Sequence, residues 1–379
     1  MESFDIVIAG AGIAGASLAH ALAGRRRVLL LEREPQPGYH ATGRSAAMFM
    51  ESYGPPQVRA LTRASRAFYT QPPEGFAPVP LMHPRGVLYV AQPGQEDLLA
   101  ATWRSLQDSG QGVQRIDAHE ARARVPVLRP DRLLGALAEP GAQDIDVNAL
   151  HQGFLRGLRA AGGTLRCGAG VVAGRHDGRR WTLQLDDGDA LQADVLVDAA
   201  GAWADVLAQA CGVRPLGLQP CRRSAFTFDG PAGTEVSAWP TVVGIAEDWY
   251  FKPDAGRLLG SPANADPVPP QDVQPEALDI ATAIHRIAEA TTLEIRRPAS
   301  TWAGLRTFAP DGEIVIGFDG AVPGFFWLAG QGGYGIQSAA GCAALAAALL
   351  CGEPPDAALR DQGVDARAVS PARFQGGGA

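Results

Sequence analysis

Cysteine, charge and long apolar runs are all scarce in this chain, and each scarcity removes a class of protein. The five cysteines (Cys167, Cys211, Cys221, Cys342, Cys351) are odd in number and include no Cys-x-x-Cys pair. That argues against a disulfide framework or a zinc site, and for a reducing, cytoplasmic compartment. Charged residues make up 19% against 46% hydrophobic, the balance of a globular chain rather than a disordered one. Positive charge is in deficit. A net charge of −7 argues against nucleic acid or an anionic membrane as main partner, while a small substrate can still meet a locally basic site. The longest uncharged apolar stretch, Ile336 to Cys351, is sixteen residues rich in small side chains. It is short for a membrane span and predicts a packed helix. No secretory signal is visible, because Asp5 sits inside the first apolar run and a glycine motif follows at once. At 379 residues the chain can build a large core and two domains.

The first thirty-two residues carry the strongest signal. Phe4 to Ala9 reads as a short buried strand. Gly10-Ala11-Gly12-Ile13-Ala14-Gly15 follows directly, then a small, apolar helical stretch, then Val28 to Leu31 ending on Glu32. A Gly-x-Gly-x-x-Gly between strand and helix, with an acid twenty residues after Gly12, is a dinucleotide-binding unit. Gly10 permits the tight turn, Gly12 lets backbone approach a pyrophosphate, and Gly15 lets helix and strand pack. The helix N-terminus offers amide groups to the phosphates, and Glu32 accepts hydrogen bonds from a ribose diol.

Further along, Arg33 to Tyr53 shows neither period, and includes Thr42-Gly43-Arg44-Ser45-Ala46-Ala47. A loop of that length beside a nucleotide site is usually functional. Helices are expected over Gln57–Tyr69, Gln95–Asp108, Ala118–Arg124, Val147–Ala161 and Gln274–Ala290, and strand material over Val79–Val90. Asp194 to Gly201 is a second buried strand running into a glycine turn, and Leu216 to Gly260 reads as a mostly antiparallel sheet. Near the end, strands Ile314–Gly317 and Phe325–Ala329 lead into a second glycine-rich turn, Gly330-Gln331-Gly332-Gly333-Tyr334-Gly335, and the Ile336–Cys351 helix. Such a turn suits backbone contacts to phosphate, ribose or ring. The expected fold is therefore α/β. A discontinuous Rossmann-like domain (1–78, 145–213, 307–362) is interrupted twice by an α+β substrate domain (79–144, 214–306), and a tail (363–379) follows.

With these stretches in view, the chain resembles the FAD-dependent amine and amino-acid oxidoreductases of the D-amino-acid oxidase type. The likeness rests on the Gly10…Glu32-Arg33 unit, Asp198-Ala199-Ala200-Gly201-Ala202-Trp203 and the late Gly330–Gly335 turn. It is strongest to the bacterial D-arginine dehydrogenases, through Tyr39 to Ala47, Arg222-Arg223-Ser224-Ala225-Phe226, Trp302-Ala303-Gly304-Leu305-Arg306 and Gly332 to Gln337. The resemblance implies FAD held non-covalently and extended. Adenosine would lie near Glu32 and Arg33, with an adenine-side contact from Val171 or Val172. The isoalloxazine would lie near Gly43, Arg44, Ser45, Ala46, Ala47 and Met48. Ala200, Gly201 and Trp203 belong to the same site, and Gly332, Gly333, Tyr334, Gly335, Ile336 and Gln337 supply contacts to the ring. No cysteine neighbours either flavin loop, which argues against covalent attachment.

An α-amino acid must have its carboxylate fixed so that its Cα–H faces flavin N5, and a planar guanidinium does this best. Arg306 takes that role by residue type and by resemblance. Arg223, Tyr53 and Tyr250 are carried over as further substrate contacts, although Arg222 competes with Arg223, since one strand face takes only one of them. The Gly333 carbonyl is placed to orient the amine. The implied reaction is oxidative deamination of a D-amino acid to a 2-oxo acid and ammonia by hydride transfer, with oxygen, a quinone or another acceptor completing it. One departure bears on substrate. Where D-arginine dehydrogenases place an acid and a histidine, this chain has Val87 and Met48. With Met50 and Leu88 these suggest an apolar pocket for neutral, hydrophobic side chains, unless an acid such as Glu51 substitutes. The rivals are basic D-amino acids, a glycine or sarcosine oxidase-like activity, and a non-catalytic FAD-binding subunit.

Overall fold

The computed structural model describes residues 1–107 and 112–374. Asp108, the expected end of one helix, and the tail from Gly376 lie outside the described residues. The architecture is α/β, as expected, with mixed sheets.

The glycine motif sits in an eight-stranded sheet. From one edge its order is Val171–His176, Trp181–Leu185, Ala190–Asp198, Glu2–Ala9, Val28–Glu32 and Thr164–Cys167. Glu2–Ala9 runs parallel to both neighbours, with helix Ile13–Leu22 as the crossover. Phe325–Ala329 adds in parallel beside Leu196–Asp198, and Val315–Phe318 pairs antiparallel to it. The central strands are apolar on both faces because both faces are covered. Ile6, Ile8 and Leu30 pack under the helices Ile13–Leu22, Val147–Ala160 and Ala339–Cys351. Val7, Leu29, Leu31 and Leu196 pack on the opposite side with Trp181 and Trp327. The parallel strands end together at Ala9, Glu32, Asp198 and Ala329. Ligands of open parallel sheets bind beyond that edge.

A nine-stranded, mostly antiparallel sheet supplies the other half of the molecule. Gln219–Phe228 and Ser300–Phe308 pair along almost their whole length, placing Arg223 opposite Gly304 and Cys221 opposite Arg306. Strand alternation then puts Arg223 and Arg306 on one face. Thr241–Gly244 runs parallel to Val87–Ala91, which is antiparallel to Gly135–Glu139. A three-stranded sheet of Met48–Phe49, Gln143–Ile145 and Met82–Pro84 lies between the two larger ones in the chain.

Four expectations about local structure are corrected. The Val79–Val90 strand material breaks at Gly86, whose φ of +71° makes a turn between Met82–Pro84 and Val87–Ala91. The last long helix begins at Ala339, not Ile336, because the Ile336 carbonyl accepts from the Tyr69 hydroxyl instead of starting the helix. Strand Gly135–Glu139 (Gly-Ala-Leu-Ala-Glu) was not anticipated. Its residues favour helix, and pairing on both edges with Val87–Ala91 and Gln114–Ile116 overrides that preference. Residues 363–374, expected as tail, lie against the main sheet: Ile316 N donates to Val369 O (2.8 Å) and Arg373 binds Asp311 (2.7 Å).

Candidate active site

At the nucleotide end, packing explains the glycines. Gly10 has φ +105°, and a Cβ there would collide with the Ala199 carbonyl of the neighbouring strand. A Cβ on Gly15 would collide with the Gly10 carbonyl, so helix and turn touch as tightly as backbone allows. The turn is then pinned from three sides. Glu32 accepts from Ala11 N (3.1 Å) and Glu34 N (3.0 Å). Burial raises the pKa of Glu32, against the pull of those two amide bonds. Thr42 Oγ1 accepts from Ile13 N (2.9 Å). His151 Nε2 lies 2.9 Å from the Ala11 carbonyl, a contact that only the Nε2–H tautomer makes, and burial lowers its pKa. Sequence reasoning missed His151. It lies 140 residues from its partner, and no local pattern marks it.

Beyond the strand ends lies a cavity of about 700 Å³, within the ~300–1,000 Å³ typical of cofactor sites. Of the expected cofactor residues, Gly10, Gly12, Ile13, Ala14, Glu32, Arg33, Thr42 and Ser45 line it. So do Val171, Val172, Ala200, Gly201, Trp203, Gly332, Gly333, Gly335 and Ile336. Tyr39 and His40, not singled out from sequence, line it too. Part of the wall is a stack: Arg33 sits 4.2 Å over the Trp203 ring, whose centroid is 4.6 Å from His40. His40 Nε2 contacts Glu34 at 2.9 Å, and that bond lowers the Glu34 pKa.

Several expected cofactor residues do other work. Arg44 turns away from the cavity. It donates to Asp272 (2.5 Å) and to the carbonyls of Val273 and Ala303 (both 3.1 Å). Asp272 is half exposed, and its hydrogen bond from Arg44 lowers its pKa. Gly43 instead closes a turn onto Gly38 O (2.8 Å). Ala47 packs against the hydrophobic core and Gly15 supports the turn, while Ala46 is absent from the cavity lining. Tyr334 packs its ring on Tyr53, centroids 4.9 Å apart. Gln337 is buried, with its amide bonded to the protein itself.

At the other end the two-stranded face delivers Arg306 to the cavity lining. Gly304 leaves it room: a Cβ there would stand 3.1 Å from Arg306 Nη1. Among the described residues neither Arg306 nor Arg223 forms an ion pair. Arg306 donates only to Leu305 O (3.3 Å) and Arg223 to Asn264 O (3.0 Å). Burial, then the nearby Arg223 charge, lowers the Arg306 pKa to about 10. Burial pulls on Arg223 as well, but the Tyr53 and Tyr250 hydroxyls outweigh it and its pKa is raised. The Tyr53 hydroxyl and Arg223 Nη1 lie 3.6 and 3.9 Å from the position a Cβ on Gly333 would take. Arg222 points elsewhere, into an acidic group of Asp266, Glu276 and Asp279. Asn264, missed within the proline-rich connection, accepts from Ser224 N (2.9 Å) as well as from Arg223.

Val87 and Met48 share one apolar cluster with Met50, Tyr89 and Ile245, packed beside Tyr53. Two details depart from expectation. Val87 is only 1% exposed and sits behind the cavity wall, and Leu88 faces the opposite side of the sheet because neighbours along a strand alternate. Met48 Sδ is contacted by Thr241 Oγ1 at 3.0 Å. Among the described residues no group of His, Cys, Asp and Glu is placed to hold a metal.

The FAD dependent oxidoreductase family model matches residues 5–349, and the chain belongs to that family. It is 30% identical over 293 residues to a D-amino acid dehydrogenase of Cereibacter sphaeroides, covering 74% of this chain and 63% of that protein. It thus spans under two thirds of that relative's length. To the glycine oxidase of Geobacillus kaustophilus it is 26% identical over 347 residues, covering 88% of this chain and 89% of that one. The crystal structure of that enzyme superposes with a TM-score of 0.81 at 24% identity, covering 93% and 96% of the two chains. L-proline dehydrogenase from P. horikoshii gives 0.84 at 19% identity, covering 99% and 98%. The family is one of FAD-dependent oxidoreductases, and the turn at Gly10, the carboxylate of Glu32 and the cavity beyond them suit that cofactor.

Proposed function

We propose that the protein oxidatively deaminates D-amino acids, as a D-amino-acid dehydrogenase, with the nucleotide-fold segments holding FAD and the antiparallel sheet presenting the substrate. The carrying observation is the pair of largely enclosed guanidiniums, Arg306 and Arg223, which among the described residues form no ion pair with a carboxylate. Charges so placed need an anion, and a planar carboxylate matches their fork. Arg306 clamps the substrate carboxylate. Arg223 and the hydroxyls of Tyr53 and Tyr250 complete its surroundings, and the Gly333 carbonyl accepts from the amine. FAD supplies the hydride acceptor. Bound there, FAD would take up the hydride from Cα, and water would turn the oxidised amine into the 2-oxo acid and ammonia. The residues orient and desolvate the reactants rather than remove a proton with a strong base.

The side-chain preference we infer is for neutral, hydrophobic groups. Met48, Met50 and Tyr89 belong to the apolar cluster packed with Tyr53. Of the acids nearby, Glu51 accepts from Arg66 (2.6 Å) and Glu139 from Ser52 Oγ (2.6 Å), while Glu247 stands in the field of Arg223. Non-covalent FAD is supported by a described cavity lining that includes no cysteine. Five unpaired cysteines support a cytoplasmic location, and no described helix is long and apolar enough to cross a membrane. A second reading, a glycine oxidase-like activity, draws on the match across 89% of the Geobacillus enzyme.

Anaerobic mixing of the yellow protein with D- and L-amino acids, glycine and sarcosine tests these readings. Bleaching by D-leucine, D-methionine or D-phenylalanine is expected. Faster bleaching by D-arginine or D-lysine would overturn the side-chain preference, and bleaching by glycine alone would replace the first reading with the second. Colour return on admitting air separates oxidase from dehydrogenase.

A further inference from the structure

A primary amide carries two N–H donors and an acceptor oxygen, so its bonding can be accounted for in full. Gln337 is 3% exposed. Its Oε1 accepts from Met50 N (3.4 Å), while Nε2 donates to Tyr53 O (3.2 Å) and Thr62 Oγ1 (3.0 Å). Both donors are used by the protein and the acceptor oxygen holds Met50 N, so no N–H is left to address a cofactor. The atoms it joins are informative. Tyr53 N donates to Met50 O (3.3 Å), which closes a tight turn from inside. Gln337 closes the same turn from outside, holding the N–H at one end and the C=O at the other. A primary amide, with donor and acceptor on one carbon, spans both ends at once.

The turn so held carries the Tyr53 hydroxyl that meets Arg223. It is tied on its other sides by Ser52 Oγ to Glu139 (2.6 Å) and by Arg59 Nε to Gly54 O (2.5 Å). Gln337 is itself fixed to the glycine-rich turn. The Ile336 carbonyl before it accepts from Tyr69, and Ser338 N after it donates to Tyr334 O (3.2 Å). Thr62, Ser65 and Tyr69 lie along one face of helix Pro56–Thr70, and their hydroxyls all engage residues 336–341.

We propose that Gln337 is a positioning residue that ties the flavin-side glycine turn to Tyr53, setting where the tyrosine hydroxyl meets the substrate carboxylate. This rests on the amino-acid reading above for its kinetic consequence, and on the hydrogen bonds alone for its structural one. The test compares holoenzyme of wild type, Gln337→Met, Tyr53→Phe and the double variant. Three readouts are taken: FAD dissociation constant, kcat and KM with the best D-amino acid, and amide hydrogen exchange.

Gln337→Met should hold FAD within about threefold of wild type and lower kcat/KM tenfold or more, mostly through KM. Exchange should quicken at least tenfold in the 48–55 segment and stay unchanged across residues 10–16. The double variant should be no worse than the poorer single one, since both act through Tyr53. FAD binding weakened tenfold with unchanged loop exchange would overturn the proposal and make Gln337 a cofactor contact. Additive losses in the double variant would overturn it too. If no amine reduces the wild-type flavin, the amino-acid reading falls, and the exchange comparison still decides the role of Gln337.

Discussion

Replacing Arg306 by methionine separates a guanidinium kept for an anion from one kept for the fold. Burial and then Arg223 lower the group's pKa from the ordinary arginine range to about 10. At about 1.4 kcal/mol per pH unit, the folded chain gives up about 3 kcal/mol to hold this charge. The unfolded chain binds the extra proton only from about pH 10 up to the ordinary arginine range, so stability rises with pH only in that window. Below it, at any ordinary assay pH, the whole cost is present. Arg306→Met removes it, and the melting temperature should rise by about 2–4 °C, a small interval because a chain of this size has a large unfolding entropy. Activity should move the other way. Losing a desolvated, two-point contact to carboxylate costs about 3–4 kcal/mol, so kcat/KM should fall about 10²–10³-fold. Calorimetry, with steady-state kinetics on the best D-amino acid, reads both. A non-reacting carboxylate should raise the melting temperature of wild type and leave the variant unmoved. A variant that melts several degrees lower, or keeps kcat/KM within threefold, refutes the reasoning: Arg306 would then be a structural residue.

Three further predictions concern the cofactor half. Gly10→Ala must place a Cβ against the Ala199 carbonyl at φ +105°, so the protein should purify colourless or insoluble, which its absorbance at flavin wavelengths reports. Glu32→Ala frees Ala11 N and Glu34 N, and FAD titration of the apoprotein should show affinity at least tenfold weaker. Asp272→Ala releases Arg44 and should destabilise by less than about 1 kcal/mol in urea at pH 7, because that pair is half exposed. Arg44 depresses the Asp272 pKa, so its contribution is present above the usual aspartate range and lost as pH falls below it. The difference from wild type should therefore shrink in urea titrations taken progressively below the usual aspartate range.

Most of the main sheet was legible because its strands and crossover are contiguous and patterned. Phe4–Ala9, Gly10–Gly15 and Val28–Glu32 announce strand, turn and strand within one stretch. Arg306 was legible as a candidate through its residue type and the likeness around Trp302–Arg306. What stayed hidden depends on pairing at a distance. Gly135–Glu139 has helix-forming residues and becomes a strand through its partners. His151 and Gln337 act on residues 140 and 284 positions away, and neither spacing leaves a local trace. Arg44 sits in a stretch like that of flavin-contacting loops, yet Asp272, 228 residues further on, draws its side chain outward.

Strand order also has a consequence for synthesis. Glu2–Ala9 lies between Val28–Glu32, made at once, and Ala190–Asp198, made much later. Phe325–Ala329 and the turn after it come later still. On the ribosome the complete glycine motif must therefore wait, its apolar strand unpaired on one side, until most of the chain has emerged. Such distant pairing makes folding slow. FAD, which binds only the finished arrangement, then acts as a thermodynamic trap for the folded form. Cells short of flavin should accumulate less of this protein, and not merely a less active form of it.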